Sequence, residues 1–227
     1  MFWDPTMLIV LPALIFAIWA QINVKTTYTK YNSLYTQCGM TGYDAARRIL
    51  DENGLYDISI EQIPGELSDH YDPKAKVIRL SQKVYTSSSA AAVGIASHEA
   101  GHAVQHAKNY FPIRIRQAII PITQFGSSAA MPLFLIGMIF ASATLMYLGI
   151  AFYSLAVLFQ LVTLPVEFNA SARAMKAIRT SGRLTDKEMQ ASRRVLTAAA
   201  LTYVAAMASS LLSLLRLIII AGSGRRR

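Results

Sequence analysis

The chain has 227 residues, 53% of them hydrophobic and only 15% charged, with a net charge of +9. Soluble domains carry about 25% charged residues, so the composition excludes an ordinary water-soluble globule and equally excludes a disordered chain. A single cysteine, Cys38, excludes an internal disulfide framework and a cysteine-cluster metal site.

Residues 5–24 form the first of three stretches without charge. About 20 mainly apolar residues suffice for one membrane span. No Lys or Arg precedes this stretch, Asp4 does, and no small-residue cleavage pattern follows, so it reads as a retained anchor and not a secretory signal.

The polar segment 25–116 is long enough for a small α+β unit. Thr41, followed by residues 43–50 and then Asn53-Gly54, reads as a short capped helix. Alternation around Ile58 and Ile60 predicts a strand. Residues 67–71 and 76–80 read as two strands joined by a turn at Asp72-Pro73-Lys74-Ala75, with Pro73 suited to the second turn position. Ser87-Ser88-Ser89 before Ala90 predicts a helix start, and that helix is expected to run to about Lys108.

Residues 117–166 are fifty positions without a charge, room for two spans in a hairpin with a turn near Ala141-Ser142-Ala143. Thr185 and Glu188 suit a capping box. Residues 195–215 form the last uncharged stretch, and Arg216, which ends it within an apolar segment, is expected to face a partner or snorkel. The segments 25–116 and 167–194 hold 11 and 7 Lys/Arg, whereas the N-terminal flank and the hairpin turn hold none. Both basic segments are therefore expected on the cytoplasmic side. A simple fourth span would put Arg225-Arg226-Arg227 outside, against that rule; the alternatives are a last helix that is re-entrant or lies along the membrane.

The chemistry sits on the helix over 90–108, which contains His98-Glu99-Ala100-Gly101-His102. Residues four apart share a helical face, so His98 and His102 can grip one zinc ion, with Glu99 beside them as general base toward the open side. Small neighbours, Ala96, Ala100, Gly101 and Ala103, let other elements approach closely. His106 lies a further turn along, about 6 Å away on the axis, and reads as a surface or interfacial residue. Glu167 is the expected third ligand. It is the only acidic residue between Glu99 and Asp186, and it ends the fifty-residue apolar run, where a carboxylate needs a partner. His70, on a predicted strand end, is a further candidate ligand or substrate contact.

The stretch His98 to Gln105 and the sequence Glu167-Phe168-Asn169-Ala170 resemble the bacterial neutral zinc metallopeptidases of the YugP type. The resemblance extends over nearly the whole chain, including residues 68–73 and 198–203. That family is similar to the gluzincin membrane proteases of the HtpX kind, with a histidine pair on a helix, a glutamate after a membrane hairpin and a cytoplasm-facing site. The resemblance implies zinc on His98, His102 and Glu167, with Glu99 as catalytic base. Two departures stand out. Ser171 occupies a position where the related proteases usually carry an aspartate that orients a metal histidine, leaving Asn169 or Asp69 as substitutes, and there is one N-terminal span fewer.

The expected fold class is a mainly α, polytopic membrane protein with a small α+β gluzincin-like zinc metallopeptidase domain. Its segments are an anchor (1–24), a cytoplasmic catalytic segment (25–116), a transmembrane hairpin (117–166), a glutamate-ligand segment (167–195) and a C-terminal membrane helix with a basic tail (196–227). The expected function is zinc-dependent endopeptidase activity on membrane or membrane-proximal proteins, with one Zn2+ per chain. His70, Tyr71 and Arg173 are candidates for substrate or oxyanion contacts, and the strand 76–80 is a candidate for pairing with an extended substrate. The expected partners are the lipid bilayer and a peptide or protein substrate, with no nucleic acid. The competing reading is a membrane scaffold with a structural zinc. A pore is disfavoured, because the hairpin carries no ionisable residue to line a path.

Overall fold

The computed structural model describes residues 5–223; Asp4 and the Arg225-Arg226-Arg227 tail, both used in the topology argument, lie outside them. Helix α1 (Met7–Asn32) continues past Lys25, so the first apolar stretch and the start of the polar segment share one helix. Helix α2 (Gly42–Glu52) begins where Thr41 and Asp44 close a reciprocal capping box and ends at Asn53, with Gly54 at φ +72° turning the chain.

Strands β1 (Ser59–Ile63), β2 (His70–Asp72) and β3 (Val77–Ser81) make one sheet in the order β1-β3-β2. β1 pairs with β3 in parallel and β2 pairs with it antiparallel. The expected strand over 67–71 is shorter and later than its sequence suggests. Leu67 sits at φ 54°, outside any strand conformation, and Asp72 is the last strand residue. Its Oδ1 accepts from the Lys74 and Ala75 backbone amides, a side-chain turn that starts inside the strand. A further correction concerns the strand over 76–80. β3 is central, with both edges paired, so it has no free edge for an incoming peptide.

A short helix α3 (Gln82–Thr86) leads to α4 (Ala90–Ala107), whose N-cap Ser89 accepts from the Ala92 amide and whose C-cap is Lys108. The alanine face of α4 closes onto α2 and the sheet. Leu50, Ile78, Leu80, Val84, Ala92, Ala96, Ala100 and Ala103 form one buried cluster. Small residues on α4 let the larger ones opposite reach full burial, worth about 1.5–3 kcal/mol for each Leu or Ile.

Helices α5 (Phe111–Ile139) and α6 (Ala143–Ser181) form the expected hairpin. Its turn comes slightly earlier than the sequence suggests. Ala141 takes φ 52°, and Ala143 already belongs to α6, whose first turn is capped by Ser142. Helix α7 (Asp186–Ser223) is unbroken along its length, without an internal turn among the described residues. Thr185 and Glu188 exchange the expected capping bonds at its start. The buried Glu188 also accepts from the Gln37 amide at 2.8 Å.

The chain is mainly helical. α1, α5, α6 and α7 are each long and apolar enough to cross a membrane, and only 11–22% of their most apolar windows is buried. Apolar surface left facing outward suits lipid, and a membrane protein is the result.

The residues divide into two compact units: 1–21, 114–165 and 201–227 in one, and 22–113 with 166–200 in the other. In the first, residues 143–165 and 201–223 each supply about 35 Å of helix, enough for a hydrocarbon core of about 30 Å. Gly149 lets α5 and α6 touch. A Cβ there would lie 2.8 Å from the Ala130 carbonyl oxygen and the Phe134 amide, the close approach that small residues permit between membrane helices. Arg216 has a partner, as its setting demanded: its Nε donates to Thr6 Oγ1 at 3.1 Å. The second unit holds the sheet, α2 to α4 and the site described next.

Candidate metal centre

Two helices of one unit build the site. α4 presents His98 and His102 one turn apart, and the start of the second-unit part of α6 presents Glu167. Gly101 allows the two helices to meet. A Cβ at that position would stand 2.7 Å from the Ala170 carbonyl oxygen, so only a glycine fits beneath this turn of α6.

The donor atoms converge. His98 Nε2 and His102 Nε2 lie 3.1 Å apart, and Glu167 Oε2 lies 3.3 Å from the first and 3.6 Å from the second. Four ligands held tetrahedrally at about 2.0–2.1 Å from zinc are about 3.3–3.4 Å from one another, and the three observed separations bracket that figure. Glu167 is only 2% exposed, so its carboxylate is withdrawn from water at the point where the two rings meet. Among the described residues, these three form the cluster able to hold a metal ion.

Each histidine also has a partner on its other nitrogen. His98 Nδ1 lies 3.1 Å from Ser171 Oγ, and His102 Nδ1 lies 3.0 Å from Gln105 Oε1. Holding Nδ1 in this way aims Nε2 at a metal. Ser171 itself therefore orients a histidine. Asp69 does not take that part: its carboxylate accepts from the Ser81 amide and hydroxyl. Asn169 acts one step further out, accepting from Gln105 Nε2 at 3.0 Å. Charge and spacing arguments single out His98, His102 and Glu167 but pass over Gln105, a neutral residue. The available signals were helical: Gln105 is three residues from His102, and Ser171 four from Glu167.

The electrostatics are those of a buried acid–imidazole cluster. Burial disfavours the His102 imidazolium, but hydrogen bonding to Glu167 and the charges of Glu99 and Glu167 outweigh it and raise its pKa above the usual imidazole value. Burial likewise pushes the Asp69 carboxyl up, against the Ser81 bonds that favour its ionised form.

The other expected residues lie around this centre. β2 packs against α4. Its His70 holds the Ser68 carbonyl through Nδ1 at 2.8 Å and stands outside the three-residue cluster. The Tyr71 ring rests against His106 with centroids 5.5 Å apart, so His106 is interfacial. Arg173 Nε donates to Asn169 Oδ1 at 2.7 Å, and its guanidinium lies over the Tyr110 ring.

Comparison with known proteins points to a zinc peptidase family. A family model described as "Putative neutral zinc metallopeptidase" matches residues 6–222. The "Putative membrane protease YugP" of Bacillus subtilis (strain 168) is 49% identical over 213 residues, covering 94% of this chain and 95% of that protein. No solved structure matches the chain. A family model matched along nearly the whole length, together with a relative alike over nearly all of both chains, shows that the chain belongs to the YugP-type family of neutral zinc metallopeptidases.

Proposed function

We propose that the chain is a membrane-embedded zinc endopeptidase with a gluzincin-like site, in which His98, His102 and Glu167 hold one Zn2+ and Glu99 is the general base. The carrying observation is the triangle of donor atoms, 3.1, 3.3 and 3.6 Å on its edges, contributed by two imidazoles whose far nitrogens are engaged and by a buried carboxylate. Zinc held there supplies a Lewis acid that polarises a peptide carbonyl and acidifies water. Among the described residues three side chains converge as ligands, which leaves a position open as a catalytic site requires; a structural site closes it with a fourth. This favours the enzyme over the scaffold reading.

Glu99, next to His98 on α4, takes a proton from the attacking water onto its carboxylate and returns it to the departing amine. His70, Tyr71 and Arg173 are the residues from which a donor to the oxyanion is drawn. The substrate class is membrane or membrane-proximal protein. The Lys and Arg content of residues 25–116 and 167–194 supports a site on the cytoplasmic side of a bacterial cell membrane, and four helices of spanning length support several crossings, with the bilayer itself as the other partner.

The test is Glu99→Gln in the purified full chain. Zinc content should stay at wild-type level while cleavage of an unfolded membrane-protein substrate falls about 10²–10⁴-fold. Cleavage at the wild-type rate would remove the assigned base. Absence of zinc from the wild type would remove the centre.

A further inference from the structure

The hydrogen bonds behind His102 have only one consistent direction. The Val166 carbonyl can only accept, and Gln105 faces it with its side-chain amide at 2.8 Å, so the nitrogen Nε2 must be the atom on that side. Gln105 is fully buried, so no solvent offers a second arrangement. Its oxygen is left toward His102 Nδ1, 3.0 Å away, and an amide oxygen can only accept. Nδ1 must therefore carry the hydrogen, and in the neutral ring Nε2 then presents its lone pair toward His98 Nε2 and Glu167 Oε2.

The far side of the chain of bonds agrees. Gln105 Nε2 also donates to Asn169 Oδ1 at 3.0 Å, which requires Asn169 to turn its oxygen inward. Arg173, a donor under all conditions, enforces that choice by donating to the same oxygen from Nε at 2.7 Å. The guanidinium is in turn steadied over Tyr110, whose amide is bonded to the Gln105 carbonyl oxygen at 2.9 Å. His98 has no such constraint, because the Ser171 hydroxyl can donate or accept.

We propose that Arg173 and Asn169, acting through Gln105, are positioning residues that fix the His102 proton on Nδ1 and so present Nε2 to the metal. This rests on the zinc reading above and assigns the Arg173 Nε a task that reaches the metal only through Asn169, Gln105 and His102.

The experiment uses the purified full chain in detergent and two readouts other than turnover: zinc affinity by competition with a chromophoric chelator, and the visible absorption of the cobalt(II)-substituted protein. Gln105→Met and Asn169→Leu should each weaken zinc about 10–100-fold and alter the cobalt bands. Asn169→Asp keeps an acceptor for both Gln105 Nε2 and Arg173 Nε, and should keep wild-type affinity and spectrum. If Asn169→Leu binds zinc as the wild type does, or if Asn169→Asp is impaired as much as Asn169→Leu, the relay is wrong and the residues only pack. His102→Ala separates the two readings: if it binds zinc like the wild type, the metal centre itself is misassigned, and the relay falls with it.

Discussion

Gly101→Ala should disable the metal centre without touching a ligand. The added methyl would stand 2.7 Å from the Ala170 carbonyl oxygen and 3.3 Å from its Cα and carbonyl carbon, all backbone atoms that no rotamer change can move. Ordinary contact begins near 3.4 Å, so the two helices must part by about 0.7 Å, whereas metal–ligand distances tolerate about 0.2 Å. Glu167 lies three residues before Ala170 on the same helix and moves with it. Overpacking costs about 1–3 kcal/mol, and the better helix propensity of alanine returns about 1 kcal/mol, so the net loss of stability is modest, at most about 2 kcal/mol. Zinc affinity should fall by more than that suggests, about 10–100-fold, comparable to loss of a supporting bond. The assay is chelator competition alongside thermal unfolding. Gly94→Ala is the control on the same helix: its nearest neighbours are Ser192 atoms at 3.3–3.4 Å, and it should bind zinc normally. Wild-type zinc affinity in Gly101→Ala would refute the claim that this close approach sets the ligand triangle.

Zinc loading should weaken as pH falls below neutral, because ligand histidines must be deprotonated and the His102 pKa is raised above 6.5, with Glu167 and Glu99 outweighing burial. In the metal-free protein the same shift acts oppositely. A folded pKa above the unfolded one stabilises fully below the unfolded value, and that contribution is lost as pH rises through the folded value. Unfolding followed across pH 5–8 should therefore show metal-free and zinc-loaded protein diverging as pH rises; parallel profiles would count against the assignment. Gly42→Ala should destabilise the second unit by about 3 kcal/mol, because a Cβ there would collide with the Val84 carbonyl at the junction of α2 and α3. An unchanged melting temperature would refute this.

Much of the fold is legible in the sequence because lipid and helix caps leave strong local marks. The charge-free stretches mark α1, α5, α6 and part of α7, and Thr41, Ser89 and Thr185 mark helix starts that the structure confirms hydrogen bond by hydrogen bond. The sheet order is less legible. β1 and β3 pair in parallel although β2 lies between them in sequence, a long-range choice set by burial of Ile78 and Leu80 with Leu50, Ala96 and Ala100, residues that no window around either strand contains. α3 is five residues long and lacks a side-chain cap bond, so it leaves no periodic signal to read. At the site, the histidine pair and the glutamate stand out because a charge in an apolar context must be explained. Gln105 has no such mark, since a buried amide is conspicuous only once its neighbours are known.

The arrangement also explains why one helix contact matters so much. α6 supplies the carboxylate at 167, the Asn169 oxygen that steadies Gln105, and the Ser171 hydroxyl against His98. α4 supplies both imidazoles and Gln105, which spans back to the Val166 carbonyl. Neither helix carries a complete centre. Each histidine of one is aimed by a residue of the other, directly for His98 and through Gln105 for His102. Register between the helices is therefore a chemical requirement: sliding α6 by one residue, about 1.5 Å, would misplace the third ligand and both histidine supports together. A neutral hydroxyl at 171 suffices because orientation of His98 needs only a hydrogen-bond partner, and the 3.1 Å separation supplies one without adding a second negative charge to a buried site.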